Sequence, residues 1–158
     1  MPDGVKRLSL EQAATPLLEE CRMVLPGIQA LFGFQMIAVF NTRFAETLSA
    51  GEQLVHLFAI LCVVLAIALV MAPALLHRRR EPQAVSRRFI ELSSRLLMWS
   101  MAPLATGTVL DVYIVARIVI GSRLAAAGVA AVAGSQFAGL WILLPQRVTL
   151  GADDAALS

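Results

Sequence analysis

The sequence is short of charge. Asp, Glu, Lys and Arg make up 15% of its 158 residues, where soluble domains carry about 25%. Lysine is almost missing, Lys6 being the only one. A formal net charge of +2 is too small for a nucleic-acid surface, and the arginines are not interleaved with exposed aromatics, so no nucleic acid is expected as a partner. Cysteine is scarce too: Cys21 and Cys62 stand far apart, with no CxxC or zinc-like spacing, and they read as free thiols. The two histidines, His56 and His77, sit towards opposite ends of one apolar run and cannot share a metal. There is no Gly-rich phosphate loop, no GxSxG and no carboxylate pair within an apolar run. Together these absences point away from an enzyme, a metal or a cofactor. Residues 1–20 hold Asp3, Glu11, Glu19 and Glu20 and no apolar segment, so no secretory signal is expected there. Glu19 and Glu20 also stand where a lipoprotein site before Cys21 would need small residues.

What the chain has instead is hydrocarbon, at 58% hydrophobic residues. Four apolar runs fall at about 23–42, 53–76, 96–117 and 124–145, and a helix crossing a bilayer needs about 20 such residues. The third run reaches that length only with Asp111 inside it. Runs this long exceed strand length and lack the alternation of membrane barrels. The expected fold is all-α, an integral membrane four-helix bundle over 23–147. A tail and interfacial segment (1–22) should precede it and a second tail (148–158) follow it. Pro16 should interrupt any helix in the first tail. Pro26-Gly27 should mark either the first turn of span one or a short break before it. Pro103 should kink the third helix.

The arginines orient the spans. Arg78, Arg79, Arg80, Arg87 and Arg88 crowd the loop between the second and third runs, Lys6, Arg7 and Arg22 precede the first, and Arg147 follows the last. The other side holds only Arg43, Arg117 and Arg123. Positive residues stay inside, so both termini and the long loop should face the cytoplasm. Residues 45–52 should form one external loop, and Gly121-Ser122 a tight second one.

Polar groups within or beside the runs are the candidate positions: Gln29, Gln35, Arg43, His56, Arg95 and Asp111. Gln29 and Gln35 point to opposite sides of their helix and need different partners. Each serves either as interhelical glue or as part of a polar path. On the third helix Ser93, Ser100, Gly107 and Asp111 share a stripe suited to a bundle interior. Arg95, Trp99 and Tyr113 share another, with Trp99 and Tyr113 as interface anchors. Asp111 should meet Arg43 or His56. In the fourth run Ala126, Ala130, Gly134 and Ala138 recur every four residues, beside Ala127, Ala131, Ser135 and Gly139. Small residues at that spacing allow close helix packing, within the chain or between copies.

The core Arg-x-x-Leu-Pro-Gly-x-Gln-x-Leu-Phe from Arg22 to Phe32, with Arg43-Phe44 and Ala-Pro-Ala-Leu-Leu-His-Arg at 72–78, resembles an uncharacterised bacterial family of small four-span membrane proteins. The likeness runs from about residue 17 to 147. It implies an integral membrane protein of unknown function and carries no catalytic or binding residues with it; the expected location is the bacterial inner membrane. The expected role is a non-enzymatic module in the lipid bilayer that forms a homo-oligomer or binds a membrane partner of unknown identity. A subunit of an oligomeric channel or small transporter is the alternative.

Overall fold

A computed structural model describes residues 10–80 and 87–143, and every described element is helical. The protein is all-α. Helix α1 spans Leu10–Val39, α2 Thr42–Thr47, α3 Ala50–Arg80, α4 Arg87–Ile120 and α5 Arg123–Ala138, closed by a π turn at Gly139–Leu143. Four helices hold segments long and apolar enough to cross a membrane: Glu19–Val39, Ala50–Leu76, Arg87–Ile120 and Arg123–Trp141. Their large apolar side chains stand at the surface, with Leu124 86% and Val119 77% exposed. A soluble monomer rarely shows contiguous apolar surface of that kind. The second tail and the middle of the arginine-rich loop lie outside the described residues.

Local chemistry sets most helix ends. Asn41 caps α2, its side chain accepting from Arg43 N at 3.0 Å, and Leu48 N donates back to Phe44 O at 3.2 Å. The residues expected as an external loop, 45–52, are therefore mostly helical, split between the end of α2 and the first turn of α3. Gly121 ends α4 at φ 77°, a left-handed conformation that glycine adopts without steric cost, and its N–H donates to Arg117 O at 3.1 Å. Ser122 then caps α5 by accepting from Ala125 N. The tight turn read at Gly121-Ser122 is thus present.

Pro16 and Pro26 behave otherwise than expected. Helix α1 begins at Leu10 and continues through both Pro16 and Pro26. A proline forfeits one backbone hydrogen bond, but the helix holds because its turns beyond Pro16 are tied into a core by Cys21 and Ile28. Pro26-Gly27 therefore makes neither a first turn nor a break.

The chain packs as two units, Met1–Ile37 with Ile60–Leu104 and Ala38–Ala59 with Ala105–Ser158. In the first, Cys21 and Ile28 of α1 pack with Val63 and Val70 of α3, flanked by Leu25, Phe32, Ile67 and Leu97. Cys21, Ile28 and Gln35 follow one another at seven-residue steps, and each is buried. Seven residues turn a helix by nearly two full revolutions, so this stripe stays on one face. On α4, Ser93 and Ser100 are buried at the same spacing. Ser100 spends its hydroxyl on Leu97 O at 2.6 Å. In the second unit Phe44 and Leu48 of α2 pack with Ile114 of α4, flanked by Val55, Tyr113 and Ile118.

Helix α5 also belongs to the second unit. Ala126 and Ala130 are buried, and Gly134 faces Val109, whose methyls would lie 3.8 and 3.9 Å from an added Cβ. Ala138 is exposed, which shortens the expected four-residue stripe. The reason is rotation: each step of four advances about 40° round an α-helix, so the stripe leaves the contact face after three members. Ala127, Ala131 and Ser135 are exposed. Ala130→Leu should therefore cost about 1–3 kcal/mol by overpacking, with Gly134→Leu of the same order. Val132→Leu, at a position 60% exposed, should change stability by less than about 0.5 kcal/mol, and Gly134→Ala should be tolerated. Thermal unfolding in detergent reads all four; equal losses at 130 and 132 would make the spacing an accident of composition.

Candidate functional site, an ionic ladder between α3 and α4

The second unit concentrates the polar groups. Its foundation is local, the Ser49-x-x-Glu52 pattern at the start of α3. Ser49 N and Ser49 Oγ each donate to Glu52 Oε2 at 2.8 Å, and Glu52 N donates back to Ser49 Oγ at 3.4 Å. This reciprocal capping box satisfies helix donors that have no partner of their own. Gln53 adds a bond from Nε2 to Leu48 O at 3.1 Å.

Capping occupies one oxygen of Glu52 and leaves the other facing α4. Arg117 Nε donates to Glu52 Oε1 at 2.8 Å, Arg123 Nε at 3.2 Å, and the Tyr113 hydroxyl lies 3.5 Å away. Glu52 is buried, and the Arg117 side chain is only 15% exposed. Arg117 also ties down the turn after α4, donating from Nη1 to Gly121 O at 2.6 Å. A buried carboxylate is costly unless it is paired and hydrogen-bonded. Glu52 is both.

One turn along α3 stands His56, buried, with its ring edge-on to Phe44 at a centroid distance of 5.1 Å. Its Nδ1 lies 3.2 Å from Asp111 Oδ1. Four residues on α3 separate the two rungs, a rise of about 6 Å, against six on α4, about 9 Å. The antiparallel helices are thus joined twice, Glu52 to Arg117 and His56 to Asp111.

Of the candidate positions, this ladder brings together His56 and Asp111. Arg43 is exposed in the first turn of α2 and is not the partner of Asp111. The apolar run does not end in a straight span there: α1 stops at Val39, and α2 carries Arg43 outward. Gln35 is buried and Gln29 exposed, on different sides of α1 as their spacing requires. Arg95 is exposed and Trp99 74% exposed, whereas the Ser93 stripe is buried. Tyr113 is half-buried and packs on the Phe44 cluster.

Glu52, Tyr113, Arg117 and Arg123 were missed as site residues. The capping box was legible as Ser49-x-x-Glu52. The arginines gave a weaker signal: Arg117 and Arg123 flank the Gly121-Ser122 turn, which places two cations together on the same side as Glu52, the acid directly before the second run. Among the described residues no three His, Cys, Asp or Glu side chains could hold a metal ion, and Cys21 and Cys62 are buried free thiols. The ladder offers charge neutralisation and helix-to-helix fixation; its carboxylates face cations or an imidazole.

Compared with known protein families, the chain matches the family model DUF6328, described as a family of unknown function, over residues 7–145. No match was found among curated proteins or among solved structures.

Proposed function

We propose, for a chain that belongs to DUF6328 and so to a family of unknown function, a non-enzymatic role as a multi-pass protein of the bacterial inner membrane that works by associating with itself or with a membrane partner. The observation that carries this reading is Gln29. It lies inside the uncharged run between Arg22 and Arg43 and is exposed, whereas the ionisable groups Glu52, His56, Asp111 and Arg117 are turned towards one another. An amide facing lipid with no partner costs several kcal/mol, so a protein surface is the natural cover for it. The Arg-x-x-Leu-Pro-Gly-x-Gln-x-Leu-Phe core that contains Gln29 is, on this reading, a mark of the family.

The second reading, a subunit of an oligomeric channel or small transporter, draws on His56 and Asp111, because ionisable pairs inside a membrane segment often mark ion or proton paths. Four spans are few for a monomeric transporter, so conduction would require a shared pore. Both readings place the termini and the arginine-rich loop in the cytoplasm, with 1–22 and 148–158 as cytoplasmic tails. Native mass spectrometry in detergent and ion or solute flux from liposomes separate the two: an oligomer without flux is expected, and flux would overturn the leading reading. Reporter fusions after Ala84 and Leu150 should signal cytoplasm, and one after Leu48 the outside.

A further inference from the structure

We infer that the Arg22-Gln29-Met36 face of α1 is the surface on which a second copy of this chain docks, as a twofold pair with Gln29 against Gln29. The inference rests on the self-association reading above and names its face and partner. Two stripes run along α1 at seven-residue steps, one residue apart. Cys21, Ile28 and Gln35 are buried in the chain's own packing, and Arg22, Gln29 and Met36 are exposed. One residue turns the helix by about 100°, so the second stripe cannot share the contacts of the first. The chain covers one amide of this helix and leaves the other outside.

Position makes that exposure consequential. Seven residues separate Gln29 from Arg22 and ten from the end of α1 at Val39, about 10 Å and 15 Å of helix, which puts the amide inside a hydrocarbon core about 30 Å thick. A glutamine side chain is too short to reach either interface from there. Lipid tails offer it no donor or acceptor. A second Gln29 offers both, since an amide donates through its NH2 and accepts through its oxygen, and a twofold axis presents the same group from each side.

Shape and charge agree. Gly33, one turn beyond, has nothing within 4 Å of an added Cβ, so the backbone is open to close approach of a neighbouring helix. Pro26, on the same face, is also exposed. From Met23 to Thr42 the sequence carries no charge, and Arg22, at the boundary of the run, is screened from its copy by water and salt.

The test uses the full-length chain, fluorescently labelled, in phosphatidylethanolamine–phosphatidylglycerol liposomes over a range of protein-to-lipid ratios. Stepwise photobleaching counts the copies. The wild type should pass from one step to two as density rises. Gln29→Leu should move that midpoint at least tenfold higher in density, and Gln29→Asn should fall between. Phe34→Leu, exposed about 140° round the helix, should leave it in place. In a Cys21→Ala, Cys62→Ala background, Gln29→Cys should give oxidised dimers and Phe34→Cys should not. A wild type that bleaches in one step at every density would remove self-association altogether. A two-step wild type with an unchanged Gln29→Leu midpoint would keep self-association and overturn this face. Thermal unfolding of the Gln29→Leu monomer should match the wild-type monomer, because the side chain is exposed in its own chain.

Discussion

Glu52→Gln should be the most damaging conservative change in the protein, lowering its stability by about 3 kcal/mol. The amide keeps the shape of the side chain and some of its capping bonds to Ser49. What it loses is the charge that neutralises Arg117, a guanidinium only 15% exposed. Breaking a buried ion pair from one side costs more than the pair contributes, because the partner's charge stays behind without compensation. For a chain of this length about 3 kcal/mol corresponds to a fall on the order of 10 °C in Tm. Arg123→Gln removes the other cation, but its side chain is 67% exposed, so the loss should stay below about 1 kcal/mol. The double variant Glu52→Gln, Arg117→Gln should be little worse than Glu52→Gln alone. Thermal unfolding in detergent measures each. A Glu52→Gln protein that melts with the wild type would mean that the first rung bears no weight.

The second rung should yield a smaller but clear loss. Asp111→Asn replaces the carboxyl group that lies 3.2 Å from His56 Nδ1, on a histidine that is buried. Removing one member of a buried polar pair costs about 1–3 kcal/mol. His56→Gln should cost a similar amount, and the two together should cost clearly less than their sum. Arg43→Gln serves as the control: exposed on α2, it should be silent in the wild type and in Asp111→Asn alike. Additive losses at 56 and 111, or coupling between 43 and 111, would detach Asp111 from the partner assigned to it.

How much of this was legible beforehand depends on range. The buried face of α4 could be read from spacing, because Ser93, Ser100 and Gly107 repeat at an interval that holds one side of a helix. The partner of Asp111 could be narrowed by depth alone to two residues, Arg43 after the first apolar run and His56 in the second. Choosing His56 over Arg43 could not be done that way, since it depended on α1 ending at Val39 and on the separate short helix that carries Arg43 outward. The fate of Pro16 was likewise hidden. Proline's local cost argues for a break, and only the packing of Cys21 and Ile28 makes continuation of the helix worthwhile.

Sequence alone determined the helical class, the four apolar segments and the turn at Gly121-Ser122. Those follow from transfer free energy, hydrogen-bond satisfaction and backbone sterics, which act on residues near one another in the chain. It also determined that Gln29 and Gln35 diverge, because helix geometry leaves six residues no other choice. Tertiary structure decided which of the two is buried, which cation Glu52 meets and where the small-residue stripe of α5 stops touching its neighbour. Each of these depends on which helix lies alongside. That is settled by the sum of many weak contacts between segments far apart in sequence, and no single stretch of the chain encodes the sum.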